Sequence, residues 1–206
     1  INKQIIEVYD KYNKALLESN AMDFSDILLN TYKLLQKPEI LEKVQNKYKY
    51  IMIDEYQDTN NLQYKIIDLI ARKSSNLCVV GDENQSIYGF RGANILNILN
   101  FETNYNNAKI VKLEENYRST TTILDAANEL IKNNKSSKDK KLWTQNGKGD
   151  LIKVLACDNG RDEVSRIIEF IRENHQNGVP YRDMTILYRT NAQSRIFEEG
   201  LLRYNI

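Results

Sequence analysis

The amino-acid sequence predicts an α/β protein in which parallel strands are covered by helices. Three observations predict it. Short runs rich in β-formers, apolar on both faces, recur along the chain. Segments with apolar residues every three or four positions alternate with them. Carboxylates, amides and arginines follow directly after the strand-like runs, which is where open parallel sheets place their chemistry.

Each element has its own signal. Helical spacing predicts helices over about 3–19, 22–36, 61–73, 94–103, 119–133, 161–176 and 193–203. Strands are predicted at "YIMI" (50–53), "LCVVG" (77–81), "KIVKL" (109–113), "LIKVLA" (151–156) and "MTILYR" (184–189). Asp23 before Phe24 and Ser119 before "TTTILDAANELI" have the chemistry of helix caps. The stretch 133–150 is polar, basic and loop-like, with room for short structure around Leu142 and Trp143.

Composition bounds the function. With 206 residues the chain can form one large domain or two small ones. A net charge of +1 means that nucleic-acid binding would have to come from a local patch. Cys78 and Cys157 sit far apart in apolar runs and read as buried free thiols of a reducing compartment. His175 is the single histidine, which argues against zinc. No run of about 20 apolar residues and no signal peptide is visible, so no membrane partner is expected and the location expected is cytoplasmic.

Four constellations carry chemistry, and each has a plainer reading beside it. In "YIMIDEYQD" a strand delivers Asp54 and Glu55 to one point. Asp54 is suited to hold Mg²⁺ through water and Glu55 to polarise an attacking water. Otherwise the two are exposed acids at a strand end. In "LCVVGDENQSIYGFRGAN", Gln85 is suited to sense a γ-phosphate. Tyr88, Phe90 and Arg91, on a loop with Gly89 and Gly92, are suited to stack on unpaired bases and touch phosphate. Otherwise the aromatics pack beneath the loop. In "LEENYRST", Tyr117 can stack on a base and Arg118 can reach a phosphate; the plainer reading is a helix start with a surface arginine. In "LYRTNAQSR", Arg189, Asn191 and Arg195 can touch a nucleic-acid backbone. Otherwise Asn191 caps a helix and the arginines are solvated.

Taken together and in order, "DFSDIL" (23–28), "IDEYQDTN" (53–60), "VVGDENQSIYGFRGA" (80–93), "LEENYRST" (113–120) and "ILYRTNAQSR" (186–195) resemble the signatures of the UvrD/Rep/PcrA-type superfamily 1 DNA helicases. The resemblance covers nearly the whole chain, and "YRTNAQSR" leans toward the PcrA/UvrD branch. It implies two RecA-like domains of the P-loop NTPase type, ATP and Mg²⁺ as cofactors, and single-stranded DNA and duplex junctions as partners. It implies roles for individual residues as well. Asp54 resembles the Mg²⁺ ligand, with Glu55 beside it as catalytic base. Gln85 resembles the glutamine that couples the γ-phosphate to the DNA site. Tyr117 resembles the adenine-stacking residue and Arg118 the arginine that reaches the γ-phosphate. Tyr88, Phe90, Arg91, Arg189 and Asn191 match DNA-contacting positions. Phe90 departs from the family, which usually has Trp there; Phe keeps a stacking face but offers less of it.

The loop that would cradle the phosphates, G-x-x-x-x-G-K-[ST], does not occur in these 206 residues. In the family it lies upstream, and residues 1–20 resemble the helix returning from an inserted subdomain. The expectation is therefore an internal piece of a DNA-repair-type helicase, inactive alone and completed by the remaining domains of its parent. Residues 1–108 would belong to the first RecA-like domain and 109–206 to the second. Two other classes stay open: a non-catalytic nucleic-acid-binding module and a subunit of a helicase-nuclease. Intact Asp54, Glu55, Gln85 and Arg118 argue against a degenerate scaffold.

Overall fold

The computed structural model describes residues 3–134 and 140–206. The chain forms two compact units, Ile1–Gly149 and Asp150–Ile206.

The first unit opens with α1 (Lys3–Glu18), which is amphipathic but has no buried residue. The Tyr12 hydroxyl at 3.2 Å from an Asp23 carboxylate oxygen joins it to the next turn. Helix α2 (Phe24–Leu35) starts at Asp23 as the sequence predicts, and it does so through a reciprocal capping box. The Asp26 N–H donates to Asp23 at 2.8 Å and the Asp23 N–H donates to Asp26 at 3.2 Å, so two otherwise orphaned amides are satisfied. Helix α3 (Pro38–Lys47) carries proline in its first turn, where no amide is required.

Strands β1 (Ile51–Ile53) and β2 (Leu77–Val79) pair in parallel, with Met52 opposite Cys78. Helix α4 (Asn61–Ala71) is the crossover between them and begins with a second capping box, Asn60 with Gln63. The Gln45 side chain donates to the Leu69 carbonyl at 2.8 Å, tying α3 to α4. Leu35 and Ala71 are buried on this helical layer. The opposite face of the strands is open, for Met52 is 77% exposed. Cys78, expected to be buried, is exposed because it shares that face; both cysteines are free thiols, and Cys157 is half-buried.

After β2 come the short helices α5 (Leu96–Leu99) and α6 (Phe101–Asn104). Phe101 meets the buried Tyr56 ring edge-on, with centroids 5.7 Å apart. Helix α7 (Thr121–Ile131) buries Leu124. Its cap is Thr120 and not Ser119, and no side chain closes it. The Gly147 and Lys148 carbonyls accept the Thr121 and Thr122 amides instead, at 2.8 and 3.2 Å. A distant segment thus does the work usually given to a local side chain.

The second unit packs α8 (Gly160–Gln176) on α9 (Ser194–Arg203) around Val164, Ile168 and Phe197. The Asn159 side chain caps α8 by accepting from Arg161 and Asp162 at 3.0 and 3.1 Å. The helices approach so closely that a Cβ on Gly200 would lie 2.4 Å from a Val164 methyl.

The runs predicted as strands at 109–113, 151–156 and 184–189 carry no ladder. A β-rich sequence specifies a strand only where a neighbour supplies the hydrogen bonds. Among the described residues, the one link near them is an isolated bridge between Glu115 and Trp143.

Candidate active site and nucleic-acid loop

The acids lie at the carboxyl end of β1, as a parallel sheet requires. The Val80 N–H donates to Ile53 at 2.8 Å and the Tyr56 N–H donates back to Val80 at 2.9 Å, extending the pairing past both strands. Between those bonds the chain turns sharply. Glu55 has φ of +49°, a left-handed conformation that non-glycine residues seldom adopt. The Asp54 carboxylate accepts the Glu55 N–H at 2.9 Å, which helps to hold the turn. Asp54, Glu55 and Asp58 line one pocket of about 360 Å³.

Gln57, two residues after Glu55, is 1% exposed. Its amide nitrogen donates to a Glu55 carboxylate oxygen at 2.7 Å. Its amide oxygen accepts the Asp82 N–H at 3.0 Å. A carboxylate can only accept and a backbone N–H can only donate, so both bonds are made in a single orientation of the amide. The Gln57 carbonyl also accepts from the Ser86 hydroxyl at 3.3 Å. Gly81 makes room for this, since a Cβ there would sit 2.6 Å from the Gln57 amide oxygen.

The network continues into the second motif. Asp82 accepts from the Asn84 N–H at 2.9 Å and from the Gln85 side chain at 3.0 Å, and it pairs with Lys140. Burial pushes the Asp82 carboxyl up, but the hydrogen bonds from Lys140, Gln85 and the Asn84 N–H outweigh it and hold the group below the ordinary carboxylate value. Glu55, Gln57, Asp82 and Gln85 therefore form one hydrogen-bonded chain from the carboxylate to the loop.

That loop presents its aromatics outward. Phe90 is 78% exposed, which removes the reading in which it packs beneath the loop. The Tyr88 and Phe90 rings lie 6.1 Å apart, and the Arg91 guanidinium sits 5.4 Å from each ring centroid. The base of the loop is pinned, with the Asn94 N–H donating to Thr59 at 2.9 Å and the buried Asn97 amide donating to the same carbonyl at 3.0 Å.

Tyr117 and Arg118 form a separate exposed cluster before α7. The Tyr117 hydroxyl donates to Glu115 at 2.9 Å, and this bond raises the phenol above its ordinary value. Asn116 accepts the Arg118 and Ser119 amides at 3.0 and 2.8 Å. Among the described residues no hydrogen bond or ion pair joins this cluster to Asp54 or Glu55. In the second unit, Arg189 and Asn191 are exposed. The cap there is Thr190, boxed with Gln193, and not Asn191. Arg195 pairs with Glu199 at 2.9 Å, so it is not simply solvated.

Among the described residues no three His, Cys, Asp or Glu side chains converge as a self-sufficient metal site. The all-oxygen donor set of the β1 pocket, with one buried Asp58 oxygen lacking a partner among the described residues, suits a hard Mg²⁺ ion held mainly by phosphates and water. Sequence reasoning does not single out Gln57, Asp58, Gly81 or Asp82 as site residues. The signal for Gln57 was its place two residues after the acid pair, but its burial and its two partners belong to the fold.

The UvrD/REP helicase N-terminal domain matches residues 1–106, and the UvrD-like helicase C-terminal domain matches residues 111–206. The ATP-dependent DNA helicase PcrA of Staphylococcus aureus (strain Mu50 / ATCC 700699) is 50% identical over all 206 residues. PcrA of Staphylococcus epidermidis (strain ATCC 12228 / FDA PCI 1200) is 49% identical over the same length. In both cases the match covers 100% of this chain and 28% of the relative. No helix among the described residues is long and apolar enough to cross a membrane. With one family domain matching more than half of its residues and a second matching most of the rest, the chain belongs to the UvrD/REP helicase family.

Proposed function

We propose that this chain is the central part of an ATP-dependent DNA helicase that moves 3′ to 5′ on single-stranded DNA and unwinds duplex junctions, working in the cytoplasm. The observation that carries the reading is the continuous hydrogen-bonded path from Glu55 through Gln57 and Asp82 to Gln85, at the root of an exposed Tyr88–Phe90–Arg91 loop. Residues 1–108 are assigned to the first RecA-like domain and 109–206 to the second.

Mg²⁺ arriving with ATP would neutralise charge between the β- and γ-phosphates. Asp54 offers a carboxylate for that ion's hydration shell. Glu55 accepts the proton of the attacking water, held in position by Gln57. Gln85 would pass a γ-phosphate contact into the loop, a role its bond to Asp82 supports. Tyr117 presents a ring face for adenine and Arg118 a guanidinium for the γ-phosphate. Tyr88 and Phe90 stack on unpaired bases, Arg91 neutralises nearby phosphate, and Arg189 and Asn191 contact the DNA backbone from the second domain. The phosphate-cradling loop is not in these residues, so the 206-residue chain alone is expected to hydrolyse no ATP at a useful rate.

The test uses the full-length gene product. ATP turnover is measured with and without single-stranded DNA, and unwinding is measured on duplexes with a 3′ or a 5′ tail. Strong stimulation by DNA and a requirement for the 3′ tail are expected. Turnover indifferent to DNA, or a preference for the 5′ tail, would overturn the reading.

A further inference from the structure

We propose that Gln57 is a positioning residue that couples the state of the 81–91 loop to the Glu55 carboxylate. The inference rests on the helicase reading above and adds a mechanical part to it.

Gln57 is a buried side chain that touches both the acid and the loop. Its two ends bond Glu55 at 2.7 Å and the Asp82 N–H at 3.0 Å. Side chains buried to this degree have little rotamer freedom, so a shift at one end is passed to the other. The residue it holds stands in a left-handed backbone conformation, which persists only where its surroundings dictate it. The loop it reads begins at Gly81, whose missing side chain leaves space for the Gln57 amide oxygen. Five residues further on, Ser86 binds the Gln57 carbonyl, and the aromatic pair Tyr88 and Phe90 follows at once. Stacking of a base on that pair would move the loop. The displacement reaches Glu55 through Asp82 N–H and Gln57, in parallel with the Asp82–Gln85 bond.

The geometry specifies the variants. Gln57→Glu keeps shape and the acceptor for Asp82 N–H but replaces the donor to Glu55 with a second carboxylate. Gln57→Met keeps volume and removes both bonds. Gly81→Ala keeps the Gln57 side chain but forces it to shift, because the new methyl would lie 2.6 Å from its amide oxygen; the same methyl would lie 2.8 Å from the Ile98 side chain, so this variant supports the Gln57 substitutions and does not replace them.

In the full-length protein, wild type and Glu55→Gln are measured first. If wild type shows DNA-stimulated turnover and Glu55→Gln abolishes it, the helicase reading stands and the Gln57 variants test the coupling alone. Each is then expected to lower the DNA-stimulated kcat by about tenfold to 10²-fold, the scale of a small misplacement of a reacting group. KM for ATP and affinity for single-stranded DNA should stay within about twofold, and thermal melting should remain cooperative. A purely structural Gln57 would instead lower melting temperature and all activities together. If Gln57→Glu folds and retains both wild-type kcat and wild-type DNA stimulation, the proposal is wrong. If Gln57→Met does not fold, Gln57→Glu still decides it. If wild type shows no DNA-stimulated turnover, it is the helicase reading that fails.

Discussion

The amide of Gln57 donates to the carboxylate of Glu55 at 2.7 Å while its oxygen receives the backbone N–H of Asp82, 25 residues later. Strand ends β1 and β2 are thereby joined by a side chain as well as by the sheet. The acid expected to activate water is held from the same place that launches the aromatic loop. This arrangement sets the following expectations.

Glu55→Gln in the full-length protein should cut ATP hydrolysis by about 10²–10⁴-fold, the usual worth of a general base. The amide keeps the shape of the side chain but cannot take a proton, so ATP binding should survive. Single-turnover hydrolysis and nucleotide titration check this together. Near-normal turnover would make Glu55 a structural acid.

Arg118→Ala should slow hydrolysis by about 10³–10⁵-fold, the range of arginine fingers. Arg118 is exposed beside the exposed Tyr117. A variant altered only in DNA affinity would contradict the role.

Phe90→Ala should weaken binding to single-stranded DNA by about 1–3 kcal/mol, the worth of one stacked base. Because the ring is out in solvent beside Arg91, Phe90→Trp should fold normally and bind as tightly or more tightly. DNA titration with parallel melting curves checks both. A loss of stability in the Trp variant would mean that the ring is packed and not presented.

Tyr56 sets an alkaline limit. Its ring is fully buried, and burial, followed by the fields of Tyr64 and Asp68, pushes the phenol from its ordinary 10 up to about 12. The unfolded chain therefore loses this proton first as pH rises. The stabilisation from keeping it is complete below pH 10 and is lost between pH 10 and about 12. Among the described residues the hydroxyl has no hydrogen-bond partner, so Tyr56→Phe should be neutral or stabilising by up to about 1 kcal/mol at pH 7. It should also flatten the alkaline loss. Melting temperature against pH for both proteins gives the answer.

Gly200→Ala should destabilise the second unit by up to about 2 kcal/mol. The new methyl would meet Val164 at 2.4 Å, and overpacking of about 1–3 kcal/mol outweighs a helix-propensity gain of at most about 1 kcal/mol. Val164→Ala in the same chain should restore part of the loss. Additive losses in the double variant would show that the two helices do not meet there.

Features under local control are legible in the residues alone. Asp23 caps α2 because a carboxylate next to a helix start satisfies its free amides within three residues. Asp54 and Glu55 sit at the end of β1, and Gln85 in the loop after β2, because β1–α4–β2 follows from apolar runs separated by a helical period. Features that depend on distant partners arise only in the folded chain. Gln57 is buried because Glu55 and Asp82 together satisfy its amide, and Phe90 is exposed because the loop is pinned at Thr59. Thr120 caps α7 because carbonyls 26 residues from the helix's first two amides receive them. The runs at 109–113, 151–156 and 184–189 carry strand-like sequence without a ladder, because a strand is a relation between segments. Spacing and propensity act over a few residues; burial and pairing are settled only when the chain returns to itself.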